Sequence, residues 1–282
     1  MSHDFFSHQK PQSLLALTDW TLKNIETLFF LADALRQASP DLRRSILRDV
    51  PTALVFFEPS TRTLSSFSLA ASRLGASAYT LPIGFSSVEK GETITDTLLN
   101  IAHMGYRLLV VRLKEEGLLQ ACANQLPKGV AMINAGEGTL AHPSQALGDL
   151  YALRQHRKTF SGLTCAVIGD IMHSRVARSY LELLPKMGVS DIRLIGPSAL
   201  IPKSLLSQQI KHYDSLEEGL VGADVVLCLR LQKERLLETV HDDARYCFSP
   251  DHLRFCAKDV DVLHPGPIMR GVDVSDDMFL SP

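Results

Sequence analysis

Three hydroxyls and one guanidinium stand together in the run Phe57-Glu58-Pro59-Ser60-Thr61-Arg62-Thr63. The run follows an apolar strand predicted over Thr52–Phe57 and opens a helix predicted over Thr61–Leu74. A helix N-terminus presents unpaired N–H donors and the positive end of the dipole, so it attracts anions. Arg62 adds a planar fork that matches phosphate oxygens. Pro59 disfavours a helical Glu58, so the strand should end in a sharp turn. Taken singly, Ser60 reads as an ordinary N-cap. The four residues Ser60, Thr61, Arg62 and Thr63 after a buried strand read as a phosphate site.

Four further clusters fall at strand ends or in loops. Gly84 and Gly91 bracket Ser86-Ser87-Val88-Glu89-Lys90. A solvated loop is the simpler reading, though a Lys between glycines can also close over a polyanion. Arg112 directly follows the apolar run Leu108–Val111, which points it either at a ligand crevice or at water. In His142-Pro143-Ser144-Gln145, Ser144 is placed to N-cap a helix, and His142 and Gln145 lie one helical turn apart. A neutral imidazole N–H there could donate to a developing oxyanion; a lone His is otherwise more often structural. In the second half, Gly169–Arg175, Arg230-Leu231-Gln232 and His264-Pro265-Gly266-Pro267 each follow a predicted strand. The first lacks the full G-x-G-x-x-G pattern, so it makes a weak case for a dinucleotide cofactor. Arg175 and Arg230 converging at strand ends suggest a dicarboxylate or a similar anion. Such a set is rich in donors and poor in bases. It implies positioning and electrostatic stabilisation, with no metal and no cofactor.

The elements that must position these residues alternate. Strands are predicted at Ala53–Phe57, Ser77–Leu81, Arg107–Arg112, Val130–Asn134, Thr164–Gly169, Asp191–Ile195, Ile210–Tyr213, Asp224–Leu229 and Val260–Leu263. Helices are predicted at Leu22–Gln37, Thr61–Leu74, Thr93–Met104, Leu118–Asn124, Ser144–Arg157, Arg175–Met187 and Leu216–Val221. Alternation of this kind predicts an α/β protein with parallel sheets covered on both faces. Asn134–Gly138 reads as a loop, and the division between two α/β halves falls near residues 140–158. The 282 residues carry a formal net charge of −2, so neither nucleic acid nor an anionic membrane is an expected partner. No apolar run is long enough for a membrane span, and no signal peptide is evident. The five cysteines are odd in number, lack C-x-x-C spacing and mostly lie in apolar runs. They read as reduced thiols of a cytoplasmic protein.

On these residues the sequence resembles the aspartate/ornithine carbamoyltransferase family, and its aspartate branch in particular. Ser60-Thr61-Arg62-Thr63 resembles that family's carbamoyl-phosphate motif. Lys90-Gly91-Glu92-Thr93 resembles the loop that reaches into a neighbouring subunit. His142-Pro143-Ser144-Gln145-Ala146-Leu147, Arg175, Arg230-Leu231-Gln232-Lys233-Glu234-Arg235 and His264-Pro265-Gly266-Pro267 follow in the family's order. The ornithine branch is expected to carry His-Cys-Leu-Pro at the last of these. The resemblance implies two doubly wound parallel-sheet domains with the active site in the cleft between them. Residues 1–141 would bind carbamoyl phosphate and residues 142–282 L-aspartate. By resemblance, Ser60, Thr61, Arg62 and Thr63 hold the phosphate, and Thr63, Arg112 and His142 polarise the carbamoyl carbonyl. Gln145 orients its NH2 group. Arg175, Arg230 and Gln232 grip the aspartate carboxylates, and the backbone around Gly266 and Pro267 lies near the attacking amine. Ser86 and Lys90 act in trans, which implies a homotrimer, with regulatory or dihydroorotase-like chains as further partners. Two departures stand out. Leu113 occupies a position where the family commonly has His. The family also continues past Gly271-Val272-Asp273 into a long C-terminal helix, whereas this chain stops at Ser281-Pro282. The expectation is exposed apolar surface on the first helix, Leu22–Leu35. Alternatives to an active aspartate enzyme are a non-catalytic paralogue and a transcarbamoylase for another amino acid.

Overall fold

The structure is a computed structural model that describes residues 13–82, 91–230 and 244–279. It divides into two units, the first ending at Ser144 and the second beginning at Gln145. In the first unit, β1 (Pro51–Phe56), β2 (Ser77–Leu81), β3 (Leu108–Leu113) and β4 (Ala131–Glu137) form one sheet in the order β2-β1-β3-β4. Every neighbouring pair is parallel. The helices are α1 (Leu22–Gln37), α2 (Pro40–Ser45), α3 (Thr61–Leu74), α4 (Ile94–His103) and α5 (Leu118–Ala123). Side chains alternate across the central strands. Ala53, Val55, Leu109, Val111 and Leu113 pack with Leu98 and Ile101 of α4 and Leu119 of α5. Leu54 and Val110 point to the other face, where Leu64 and Phe67 of α3 cover them. Each such buried Val or Leu contributes roughly 1.5–3 kcal/mol of transfer free energy. On α1, Ile25 and Phe29 are buried while Phe30 is 68% exposed.

The second unit opens within α6 (Pro143–Arg154). It holds a five-stranded parallel sheet in the order β7-β6-β5-β8-β9. These strands are β5 (Thr164–Ile168), β6 (Asp191–Ile195), β7 (Ile210–Tyr213), β8 (Val225–Cys228) and β9 (Asp261–Leu263), with α7 (Arg175–Leu183) and α8 (Leu216–Leu220) between them. Ala166, Ile168, Ile195, Val226 and Cys228 form one core face with Leu216 and Leu220 of α8.

Both sheets reverse their order once. In the first, the chain leaves β1 for β2 and returns on the other side as β3. In the second, β6 and β7 lie to one side of β5, and β8 and β9 to the other. A reversal opens a crevice beyond the carboxyl ends of the two flanking strands. At the second reversal the strands after β5 and β8 come close. Gly169 has φ +110°, and a Cβ there would lie 2.7 Å from the Leu229 carbonyl oxygen.

Several elements differ from the sequence expectation. β4 runs on to Glu137, where a loop over Asn134–Gly138 was expected. Its outer edge is paired: Leu14 donates to the Met132 carbonyl and Asn134 donates to the Leu14 carbonyl, both at 2.8 Å. The Asn134 side chain adds a bond to the Leu15 carbonyl. Beyond Asn134 the glycine-bearing segment is kept extended by β3, where Leu113 pairs with Glu137 and accepts the Gly138 N–H at 3.0 Å. The helix expected over Arg175–Met187 ends at Leu183 and continues as a single 3-10 turn over Pro185–Met187. Pro185 has no N–H to continue the ladder. Ser144 does not cap α6, because Pro143, with its preset φ, already occupies the first helical position. α2 was not anticipated, although Ser39 caps it and Pro40 opens it.

Gly169→Ala should destabilise the protein by the cost of a strained backbone, about 1–3 kcal/mol, plus the clash with Leu229. Gly105, at φ +106° with nothing within 4 Å of its virtual Cβ, supplies the comparison. Urea midpoints should fall further for Gly169→Ala than for Gly105→Ala, and equal shifts would show that the close approach carries no energy.

Candidate active site

In the first unit the chemistry-bearing residues gather at the carboxyl ends of β1, β3 and β4. β1 leads through Phe57-Glu58-Pro59 into α3, whose N-cap position is Ser60 with extended φ −159° and ψ 98°. The Ser60 hydroxyl does not cap the helix. It donates instead to Thr63 Oγ1 at 3.0 Å. By contrast, Thr21, Ser39, Thr93, Ser174 and Ser215 each accept a backbone N–H at the start of their own helix. The first turn of α3 is thus left without a side-chain cap, and Thr61 and Arg62 stand exposed on it. An exposed guanidinium beside uncapped N–H groups is an arrangement that an oxyanion completes.

Arg112 is one strand away. Its carbonyl accepts the Phe57 N–H at 2.8 Å, which ties the end of β3 to the turn before α3. The register between β3 and β4 shifts between Val111 and Leu113, so Arg112 lies on the irregularity. A shift of this kind re-aims a side chain at a strand end. Arg112 Nε lies 3.2 Å from Glu58 Oε2, and both side chains are largely buried, at 12% and 22% exposed. Arg112 Nη1 also reaches the Ala135 carbonyl at 3.4 Å. Glu58 was not singled out from the sequence, where only its position before Pro59 drew notice.

His142 follows β4 through a tight turn. Glu137 N–H donates to the Ala141 carbonyl at 3.0 Å, and Leu140 N–H donates to the Glu137 carbonyl at 2.9 Å. The Glu137 carboxylate accepts the Leu119 N–H at 3.2 Å, at the start of α5. Burial pushes this carboxyl above the ordinary range, against the pull of the backbone N–H groups of Leu119, Gly117 and Leu118. His142 itself is buried, and its Nδ1 lies 3.3 Å from the Ser144 hydroxyl.

In the second unit Arg175, Arg230 and Gly266 follow β5, β8 and β9, which are neighbours in the sheet. Arg175 is the first residue of α7, and Ser174 caps that helix by accepting the Ala177 N–H at 3.1 Å. The turn before it is filled by its own side chains. Fully buried Asp170 pairs with the His173 ring at 3.0 Å and accepts its N–H at 3.1 Å. A capped helix behind a buried carboxylate is a poor seat for a pyrophosphate. Gly266, at φ +69°, precedes Pro267 through a cis peptide bond. Its N–H donates to His264 Nδ1 at 2.8 Å. Nδ1 is therefore the acceptor, Nε2 carries the proton, and Nε2 faces Asp273 Oδ2 at 3.3 Å. Asp273 Oδ2 also accepts the Met269 N–H at 2.9 Å. This network holds the Gly266–Pro267 segment in place. Gln145, on the first turn of α6, donates through Nε2 to Asp149 Oδ1 at 2.8 Å.

Ser86, Lys90 and Gln232, with Lys233, Glu234 and Arg235, lie outside the described residues. Among the described residues, no group of three or more His, Cys, Asp or Glu side chains is set to hold a metal ion, and no helix is long and apolar enough to cross a membrane. The cysteines are free thiols. Burial pushes Cys122 up to about 11 and Cys165 up to about 12, which disfavours the nucleophilic thiolate.

Comparison with known proteins bears on the same two units. Residues 12–155 match the family profile described as aspartate/ornithine carbamoyltransferase, carbamoyl-P binding domain, and residues 161–282 match that of the Asp/Orn binding domain. The aspartate carbamoyltransferase catalytic subunit of Vesicomyosocius okutanii is 40% identical over 267 residues, covering 93% of this chain and 83% of that protein. Among solved structures, aspartate transcarbamoylase from Trypanosoma cruzi, in complex with carbamoyl aspartate and phosphate, is 28% identical with a TM-score of 0.84. It covers 97% of this chain and 89% of its own. Ornithine carbamoyltransferase from Thermus thermophilus is 25% identical with a TM-score of 0.85, over 97% and 92% of the two chains. With both halves matched in order and relatives at this identity over most of its length, the chain belongs to the aspartate/ornithine carbamoyltransferase family.

Proposed function

We propose that this chain is a transferase that moves the carbamoyl group of carbamoyl phosphate to the amine of L-aspartate, giving N-carbamoyl-L-aspartate and phosphate. The reaction is a step of pyrimidine biosynthesis. The observation that carries the reading is the uncapped N-terminus of α3, with Arg62 on it and Arg112 at the adjacent strand end. That arrangement suits the dianionic phosphate group of an acyl phosphate. The relatives named above for aspartate transfer choose the acceptor, and His264-Pro265-Gly266-Pro267 departs from the ornithine pattern.

In this reading Ser60, Thr61, Arg62 and Thr63 bind the phosphate through N–H groups, hydroxyls and the guanidinium. Thr63, Arg112 and His142 donate toward the carbamoyl oxygen. As the amine attacks, the new C–N bond forms and that oxygen gains charge. Each well-placed donor to it contributes about 3 to 4 kcal/mol. The C–O bond to phosphate then breaks, and the leaving phosphate takes up the amine proton. A protein base is not required. Arg175, Arg230 and Gln232 hold the two carboxylates of aspartate, while the Gly266–Pro267 backbone borders the amine. Residues 1–141 act as the carbamoyl-phosphate domain and residues 142–282 as the aspartate domain. Ser86 and Lys90 complete the site of a neighbouring subunit in a cytoplasmic homotrimer.

Purified protein supplied with carbamoyl phosphate and a panel of amines should carbamoylate L-aspartate and leave ornithine unreacted. No turnover by a folded sample would sink the proposal. Within it, Arg62→Ala removes charge-assisted bonds worth about 1.5–3 kcal/mol each, so calorimetry should show carbamoyl-phosphate binding weakened by at least about tenfold. Unchanged affinity would remove Arg62 from the site. Trimer sharing has its own test. Mixing inactive Lys90→Ala and Arg62→Ala chains should restore activity, because some sites then combine one intact residue from each. Absence of rescue after subunit exchange would count against residues acting in trans.

A further inference from the structure

Asp149 sits on α6 one turn beyond Gln145. Its Oδ1 accepts the Gln145 Nε2–H bond at 2.8 Å, while its Oδ2 is buried without a hydrogen-bond partner. A half-satisfied buried carboxylate is unfavourable for folding, and an apolar side chain of similar size would avoid the penalty. Two other polar groups are electrostatically coupled to it. The Tyr180 phenol on α7 is fully buried, its hydroxyl lacks a partner, and it feels the Asp149 charge. The His264 imidazole after β9 acts on Asp149 in the stabilising sense, and that ring is itself paired with Asp273. None of these contacts accounts for keeping an acid here.

The account lies in what a carboxylate can and cannot do. Ionised, it only accepts hydrogen bonds. It therefore selects one of the two orientations of the Gln145 carboxamide, with Nε2 turned toward Asp149 and Oε1 turned away. Protonated, Asp149 could donate to Oε1 equally well, and the selection would be lost. We propose that Asp149 is a positioning residue that locks the Gln145 carboxamide with its oxygen outward, as the acceptor for the NH2 group of a carbamoyl substrate. The inference rests on the carbamoyl-transfer reading given above.

The lock is sensitive to pH. Burial pushes the Asp149 carboxyl up to about 6, against the hydrogen bond from Gln145 and the nearby His264. A raised value still leaves the acid ionised at neutral pH. Activity should fall as the pH drops through about 6, where Asp149 takes up a proton.

The test is the pH profile of kcat and of KM for carbamoyl phosphate in four proteins: wild type, Asp149→Asn, Gln145→Ala and the double variant. Asp149→Asn, nearly isosteric, should lower kcat by about tenfold or more with less effect on KM, and should lose the acid limb. Gln145→Ala should lose the same limb, so the test does not depend on Asp149→Asn folding. In the Gln145→Ala background, Asp149→Asn should cause no further loss of kcat. Equal losses in both backgrounds, or an acid limb that survives Asp149→Asn, would overturn the inference while leaving the function intact. A wild type that forms no carbamoyl aspartate would overturn the functional reading, and this inference with it.

Discussion

The proposed site depends on one constraint. Donors meant for an anion must be gathered without an anion from the protein itself neutralising them all. At the β1–β3 reversal this is met by leaving the first turn of α3 without a side-chain cap. The Ser60 hydroxyl is engaged with Thr63 rather than with the helix N–H groups. Among the described residues five other helices are capped by their own Ser or Thr, so the sequence has the means to cap and does not use them at α3. One carboxylate close by, Glu58, meets Arg112 through Nε. The rest of the first unit can be understood as the scaffold that fixes this geometry. Parallel strands end in register, α3 covers one face with Leu64 and Phe67, and the β3 irregularity falls at Arg112.

The second unit also reverses its strand order once, in a five-stranded sheet, but meets a different problem. Its helix at the reversal is capped and its turn is filled by Asp170 and His173, which makes the dipole end a poor anion seat. In the proposed reading, recognition passes instead to groups after three adjacent strands, the side chains of Arg175 and Arg230 and the backbone at Gly266. That division suits the proposed chemistry. A phosphate is matched by a fan of N–H groups at a helix end, whereas two separated carboxylates are better matched by separate guanidinium forks. Polar networks then stiffen the parts that must not drift. His264 and Asp273 hold the Gly266 segment, and Asp149 holds Gln145.

Most of this architecture was legible from apolar periodicity. The helix over Thr61–Leu74 has the bounds its pattern implies, because Ser60 starts it and Gly75 stops it. The apolar runs before Arg112 and Arg230 marked both as strand-end residues and Ser174 marked Arg175 as a helix start, but pattern alone left open whether each charge meets a ligand or water. What local pattern could not show is what distant segments do. β4 extends to Glu137 because that residue pairs with Leu113 of β3 beyond the register shift, while Ser13–Leu15 pairs along Met132–Asn134 from more than a hundred positions away. Pro185 ends α7 inside a pattern that stays amphipathic to Met187. Glu58 and Asp149 escaped notice for a common reason: burial of a carboxylate is a tertiary fact, and spacing alone leaves such residues looking like solvated surface.

The central claim is that the α3 N-terminus is the phosphate seat and that the strand-end arginines of the second unit grip the acceptor's carboxylates. A crystal structure with a bisubstrate phosphonate of aspartate tests it most directly. The account predicts phosphonate oxygens on the backbone N–H groups and side chains of Ser60–Thr63, with the two carboxylates on Arg175 and Arg230. A phosphonate bound elsewhere, with the first turn of α3 left empty, would contradict it.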